Sequence, residues 1–435
     1  MSKKRAIKAI SLLWIGSLLG AFFAFLTQVI LARHLGVNNF GLFASAMATV
    51  TLVTPLAGFG VAQYWLKVFG SEGWHAARWV TPSFRFILVS TLLAMSILII
   101  WALFGPHESE YRWLILILSF YIFGQVSIEL VSSKLQLEER FITLSTWQLL
   151  PHLIRFVMIV ILSYGFTSWV SVEAIALTYA AIAVVFTMVG IFHLGKLKKG
   201  RFDLKGHDFS SLGKVNENQN VLDVLSNTWP FGLAAFFQLI YFQSDIILVK
   251  YFIGDEAVGL YNVAFTVMAA VYLLPGVIYQ KYLLPKMHRW ANYDRAKFYQ
   301  VYFQGNVAML IIGTLAMISL WFISGWAIPL LFTDQYKGSV ILLNMLAFSA
   351  PIIFIAFNAG STLVTQEHMK RKVKYMGYVA LINLVLNIIM IPLYGAMGAA
   401  FSTVLSNGIL LLFYYLAAKR VVFLREYTSI KNAGN

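Results

Sequence analysis

Phe86-Ile87-Leu88-Val89-Ser90-Thr91-Leu92-Leu93-Ala94-Met95-Ser96-Ile97-Leu98-Ile99-Ile100-Trp101-Ala102-Leu103-Phe104 is an unbroken apolar run without a single charge. A helix rising about 1.5 Å per residue needs about 20 such residues to cross the hydrocarbon of a bilayer. Comparable blocks recur, among them Trp113 to Phe123 and Ile341 to Phe357. Hydrocarbon offers the backbone no water, so a spanning segment is either a helix or a strand of a closed barrel. Barrel strands alternate polar and apolar residues, and these blocks do not. The fold class that follows is an all-α membrane protein.

Composition agrees. The 435 residues are 60% hydrophobic and 12% charged, whereas soluble domains run near 45–50% apolar and about 25% charged. Hydropathy and turn signals predict twelve spans, near 9–32, 41–66, 84–104, 113–131, 144–164, 172–194, 229–251, 258–280, 299–322, 340–362, 375–391 and 396–416. The N-terminal Lys3-Lys4-Arg5 before an apolar run imitates a secretory signal, but the run is too long for one and reads as a retained first span. The net charge of +15 sits in short breaks between apolar blocks, which argues for membrane lipids and against nucleic acid as the partner. With the N-terminus cytoplasmic, twenty-seven of the 33 Lys and Arg fall in the termini and inner loops and four outside. This asymmetry predicts an even number of spans with both ends in the cytoplasm. The absence of Cys removes disulfides and Cys-based metal sites.

The hydrophilic stretch 196–228 divides the chain into an N-terminal six-helix bundle, 1–195, and a C-terminal one, 229–435, with a cytoplasmic linker between them. The halves resemble each other. Arg33 precedes Gly41-Leu42-Phe43 and Pro55, as Lys250 precedes Gly259-Leu260-Tyr261 and Pro275; Tyr164-Gly165 matches Tyr394-Gly395. Parallel repeats of this kind commonly enclose a transporter's substrate site.

The segment Leu31-Ala32-Arg33-His34-Leu35-Gly36, continuing to Phe40-Gly41-Leu42-Phe43, resembles the connection of the first two spans in polysaccharide-transporter flippases. Asp245-Ile246-Ile247-Leu248 followed by Val258-Gly259-Leu260-Tyr261-Asn262-Val263-Ala264 is its C-terminal counterpart, and Asn387 to Thr403 resembles the connection of the last two spans. These flippases belong to the multidrug/oligosaccharidyl-lipid/polysaccharide exporter (MOP) superfamily. The resemblance implies two pseudo-symmetric six-helix bundles in a V that opens alternately to each side of the inner membrane. It also implies transport of a polyprenyl-diphosphate-linked oligosaccharide, as in O-antigen, capsule or enterobacterial-antigen assembly (lipopolysaccharide O-antigen being the type case), in company with a glycan polymerase complex.

Charges inside spans are costly and usually face a cavity or a partner. Arg155, after Pro151-His152 in the fifth span, is read either as a diphosphate ligand or as half of a salt bridge with Glu129 or Asp245. Arg85 either lines the lumen or anchors the third span at the interface. Arg33 and Lys250, at repeat-related span ends, either snorkel or act on the diphosphate and in gating. Glu129 and Asp245 are candidates for Na⁺ or H⁺ coupling, the alternative being ion pairs with Arg155 or Lys250. The Gly206…Gly213-Lys214 stretch has the wrong spacing for a phosphate loop and Val215 where Ser or Thr is required, so no ATP site is expected. No cofactor and no metal site are expected. The outer loops are too short for a membrane glycan polymerase or ligase, so the chain is not expected to be an enzyme. The nearest rival is an ion-coupled multidrug exporter of the same superfamily, whose cavity should be dominated by acids. A second, the peptidoglycan-precursor flippase, belongs to a fourteen-span group.

Overall fold

The computed structural model describes residues 3–205, 219–276, 279, 283–364 and 369–424. The described residues are almost wholly helical and hold no strand. We number the helices α1 (Lys3–Val53), α2 (Val61–Glu72), α3 (Val80–Phe104), α4 (Ser109–Leu118), α5 (Tyr121–Leu137), α6 (Phe141–Val160), α7 (Val172–Lys198) and α8 (Val221–Phe252). They continue as α9 (Asp255–Gly276), α10 (Leu284–Tyr293), α11 (Arg295–Phe332), α12 (Ser339–Ala347), α13 (Ser349–Thr362), α14 (Met369–Tyr394) and α15 (Ala396–Ala417).

Among the described residues, 9 helical stretches are long and apolar enough to cross a membrane, and the bent α12–α13 pair makes 10. The first stretch, Ser11–Phe104, has 94 residues, several times the roughly 20 that one span needs. It is broken at Gly36, with φ 73° inside α1, and again between Val53 and Val80. These breaks divide it into the first three predicted spans, which brings the number to twelve. A positive φ is what glycine tolerates and a side chain resists, so Gly36 sets the turn between the first two spans.

Repeat-related positions behave alike. Proline stands at repeat-related positions, Pro55 at the break of the second span and Pro275 within α9. The fourth span is interrupted between Leu118 and Tyr121, and its counterpart, the tenth, bends by 41° between Ala347 and Ser349. The helices outrun the predicted spans where hydropathy fades: α7 runs to Lys198, α8 starts at Val221, and α11 is 38 residues long. Residues 206–218 of the predicted linker, with its phosphate-loop-like glycines, and most of the last residues of the eighth span lie outside the described residues, as do the last residues of the tail.

Two compact units emerge. One comprises Met1–Leu35 and Leu42–Leu239; the other comprises Gly36–Gly41 and Ile240–Asn435. Their surfaces carry large apolar side chains, as in Phe104 (82% exposed) and Phe322 (81%). Small polar residues are buried instead, among them Ser83, Ser133, Asn383 and Ser406. With lipid as apolar as leucine, helices associate through close packing of small residues and through interhelical hydrogen bonds.

One such approach lies in the second unit, where the segment holding Gly41 packs on the start of α9. A Cβ on Gly41 would lie 1.8 Å from the Asp255 carbonyl oxygen, and one on Gly259 would lie 2.2 Å from that of Val37. The two repeat-related glycines therefore serve the same packing requirement. Gly41→Val and Gly259→Val should each destabilise the chain by about 1–3 kcal/mol through overpacking. Thermal unfolding in detergent measures this, and unchanged midpoints would contradict the packing described.

Candidate functional site

In the first unit, α1, α2, α5 and α6 surround a cavity of about 510 Å³. On α5, Tyr121, Gln125 and Glu129 follow at intervals of four and share one face. The Tyr121 hydroxyl donates to Gln125 Oε1 and the Gln125 amide donates to Glu129 Oε1, each over 3.4 Å. From α6 come Gln148, His152 and Arg155; from α2 comes Gln63; from α1 comes Ser17. The polar groups of the wall are thus mainly amide and hydroxyl, with one imidazole, one carboxylate and one guanidinium, set among apolar residues such as Leu66 and Ile128.

Arg155 is only 9% exposed. Its guanidinium lies against two aromatic faces, 5.1 Å from the Tyr121 ring centre and 4.9 Å from that of Tyr179. Among the described residues it forms no ion pair, and its Nε is buried without a hydrogen-bond partner. Aromatic faces offset only part of the cost of burying a cation. An anion brought to this point would find a rigid set of N–H donors and a charge that no neighbour neutralises. The salt bridge to Glu129 or Asp245 considered from the sequence is not formed. Glu129 faces the same cavity, with Gln125 as its hydrogen-bond partner.

The second unit buries a different polar cluster. Asp245, on α8, is 1% exposed. Its carboxylate accepts from the Tyr261 hydroxyl at 2.7 Å, from the Asn387 amide at 2.5 Å and from the Thr403 hydroxyl. The Asn383 carbonyl oxygen accepts from Ser244 at 3.0 Å and from Asn387 at 3.1 Å. Asn387 Oδ1 is buried without a partner. Four helices thus place one carboxylate among neutral oxygens, and no cationic side chain touches it.

The other sequence-derived candidates lie outside the cavity lining. Arg85 on α3 and Arg33, close before Gly36, are exposed. Lys250 is paired with Asp255 across the turn between α8 and α9. The structure brings Arg155 and Glu129 together and places Asp245 in a cluster of its own. Gln63, Gln125, Gln148 and His152 were not singled out from the sequence. The available signal was their polarity within apolar runs, with Gln125 at helical spacing from Glu129 and Gln148 and His152 at helical spacing from Arg155. Asn383, which precedes the family-like run Asn387 to Thr403, was likewise not singled out.

A family model described as polysaccharide biosynthesis protein matches residues 6–290. The chain belongs to that family. An uncharacterized membrane protein of Methanocaldococcus jannaschii is 22% identical over 448 residues, covering 94% of this chain and 83% of its own length. Among solved structures, this family member is similar to the lipid II flippase MurJ in an inward closed conformation. The TM-score is 0.73 at 15% identity, over 94% of this chain and 87% of that one. An inward-facing multidrug-resistance MATE transporter of the MOP superfamily gives a TM-score of 0.64 at 14% identity, over 94% and 96%. A MOP-superfamily transporter from Pyrococcus furiosus, described as having a binding pocket of reverse polarity, gives 0.58 at 15% identity, over 96% of each chain. The fold is shared with these MOP-superfamily structures, and the apolar helices are those of a multi-pass membrane protein.

The two clusters respond oppositely to mutation. Arg155→Met removes a buried charge that has no ionic partner and should leave thermal stability in detergent unchanged or raised. Asp245→Leu strands three donors and should lower stability by about 3 kcal/mol or more. A drop for Arg155→Met as large as that for Asp245→Leu would mean that Arg155 is already satisfied.

Proposed function

We propose that the chain moves a polyprenyl-diphosphate-linked oligosaccharide from the cytoplasmic to the outer leaflet of the inner membrane by alternating access. The observation that carries this reading is Arg155, an uncompensated buried guanidinium at the wall of a polar cavity. Diphosphate is the group such a charge suits, and the surrounding amides and hydroxyls suit sugar hydroxyls. The lysine and arginine asymmetry puts both termini in the cytoplasm, with the Gln63 and Gln136 side of the cavity facing inward. Arg33, Arg85 and Lys250 then stand near the membrane boundaries, where they would guide the diphosphate in and out. Lipopolysaccharide O-antigen units are the substrate class we favour, delivered to a glycan polymerase complex. No chemical step is required of the protein, which acts as a transporter and not as an enzyme.

Asp245 is our candidate for ion coupling. The Asp245 carboxylate and the side-chain oxygens of Asn383, Asn387 and Thr403, that of Asn387 being unpartnered, form an oxygen donor set suited to a hard cation. A single carboxylate balances one positive charge, which fits Na⁺ or H⁺ better than a divalent ion. Binding there would supply free energy that the substrate gradient alone lacks. Glu129, within the substrate cavity, is the second candidate.

Glu129 also supports a rival reading, export of cationic drugs, because an unpaired carboxylate faces the same space. Flipping of a fluorescent polyprenyl-diphosphate oligosaccharide in proteoliposomes separates the two. The wild-type chain should flip it, and Arg155→Ala should be at least about tenfold slower, as expected for loss of one charge-assisted contact of roughly 1.5–3 kcal/mol. Glu129→Gln should retain flipping. Undiminished flipping by Arg155→Ala, or drug efflux abolished by Glu129→Gln without any glycolipid flipping by the wild type, would overturn the reading. In the same vesicles, Asp245→Asn should remove the response to an imposed Na⁺ or H⁺ gradient. A persisting response would place coupling elsewhere.

A further inference from the structure

Away from the cavity, on the outer surface of the first unit, α3, α5 and α7 leave a slot of about 370 Å³ between them. Its mouth is apolar and strongly exposed, with Leu88 61% and Ile191 65% accessible. One end carries Lys198, the last residue of α7. From there the slot reaches Thr187, eleven residues back along the helix, a depth of about 16 Å. One leaflet of the hydrocarbon is about 15 Å thick. Slot and leaflet therefore match in depth, with the cation where headgroups lie. Thr91 stands on the slot wall, 6% exposed, with its hydroxyl buried and without a hydrogen-bond partner. The basic end continues through Lys196, Lys199 and Arg201, and basic clusters beside a membrane helix attract anionic lipids.

We infer that this slot holds one acyl chain of an anionic phospholipid whose phosphate rests on Lys198. The apolar walls replace the chain's neighbours in the leaflet, and lysine selects the headgroup by charge. Such a lipid would wedge α3 against α5 and α7. This assignment is independent of the transported substrate, because it rests on a lipid-facing surface and on none of the cavity residues.

Native mass spectrometry of the purified full chain tests it, with palmitoyl-oleoyl phosphatidylglycerol, the phosphatidylcholine bearing the same chains, and undecaprenyl phosphate as probes. Phosphatidylglycerol should be retained about fivefold more than phosphatidylcholine, the preference expected of one lysine near the surface. Lys198→Gln, at an exposed position, should remove most of that preference. Gly195 lies in the slot wall, and a Cβ there meets nothing within 4 Å. Gly195→Phe should therefore fill the space without a clash and lower retention of both phospholipids. Equal retention of the two phospholipids by the wild type overturns the proposal, as does unchanged retention by Gly195→Phe. Tighter binding of undecaprenyl phosphate than of phosphatidylglycerol, lost in Gly195→Phe, would make the slot a site for the carrier's tail and equally overturn it.

Discussion

Hydrocarbon gives a charged or hydrogen-bonding group nothing to bond to, and that single fact shapes both the helices of this chain and its few interior polar residues. Every backbone amide must find its partner within a helix, so breaks in the spans are confined to a few short stretches. One pair of breaks falls at repeat-related places, the interrupted fourth span and the bent tenth. A charge left inside must be satisfied by design or kept for something that arrives later.

The two units treat their buried charges in opposite ways. Asp245 is saturated by Tyr261, Asn387 and Thr403, donors from three other helices. Arg155 has only the faces of Tyr121 and Tyr179. A saturated anion in a dry cluster holds the packing of its helices and offers oxygens to a small cation. A guanidinium against π-faces is held in place yet left electrostatically open, and its cost is recovered when an anion binds. This contrast is why we assign the substrate's diphosphate to the first unit and ion coupling to the second.

Much of the fold was legible because hydropathy and the repeat report on lipid directly. The twelve spans, their pairing and the helix break at Pro55 follow from apolar run length and from proline chemistry. The ends of α7, α8 and α11 were not legible, since polar residues continue a helix past the hydrocarbon without any change in backbone hydrogen bonding. Arg155 and Glu129 stood out as charges within apolar runs. Their amide neighbours did not, because an isolated glutamine in a span carries no signal until the helices are assembled. The partners of Asp245 lie 142 and 158 residues away for Asn387 and Thr403, beyond any local pattern. Lys250 shows the opposite case. Its partner, Asp255, is five residues on, as near in sequence as Asp245, the acid weighed for it from the sequence.

We propose that Arg155 is a cation held in readiness for phosphate. Electron cryo-microscopy of the protein bound to a polyprenyl-diphosphate oligosaccharide examines this most directly. The expected result is diphosphate within about 3 Å of the Arg155 guanidinium, the distance of a charge-assisted hydrogen bond, with sugar rings among Gln63, Gln125 and Gln148. Diphosphate density elsewhere, with Arg155 still enclosed by Tyr121 and Tyr179 alone, would contradict it.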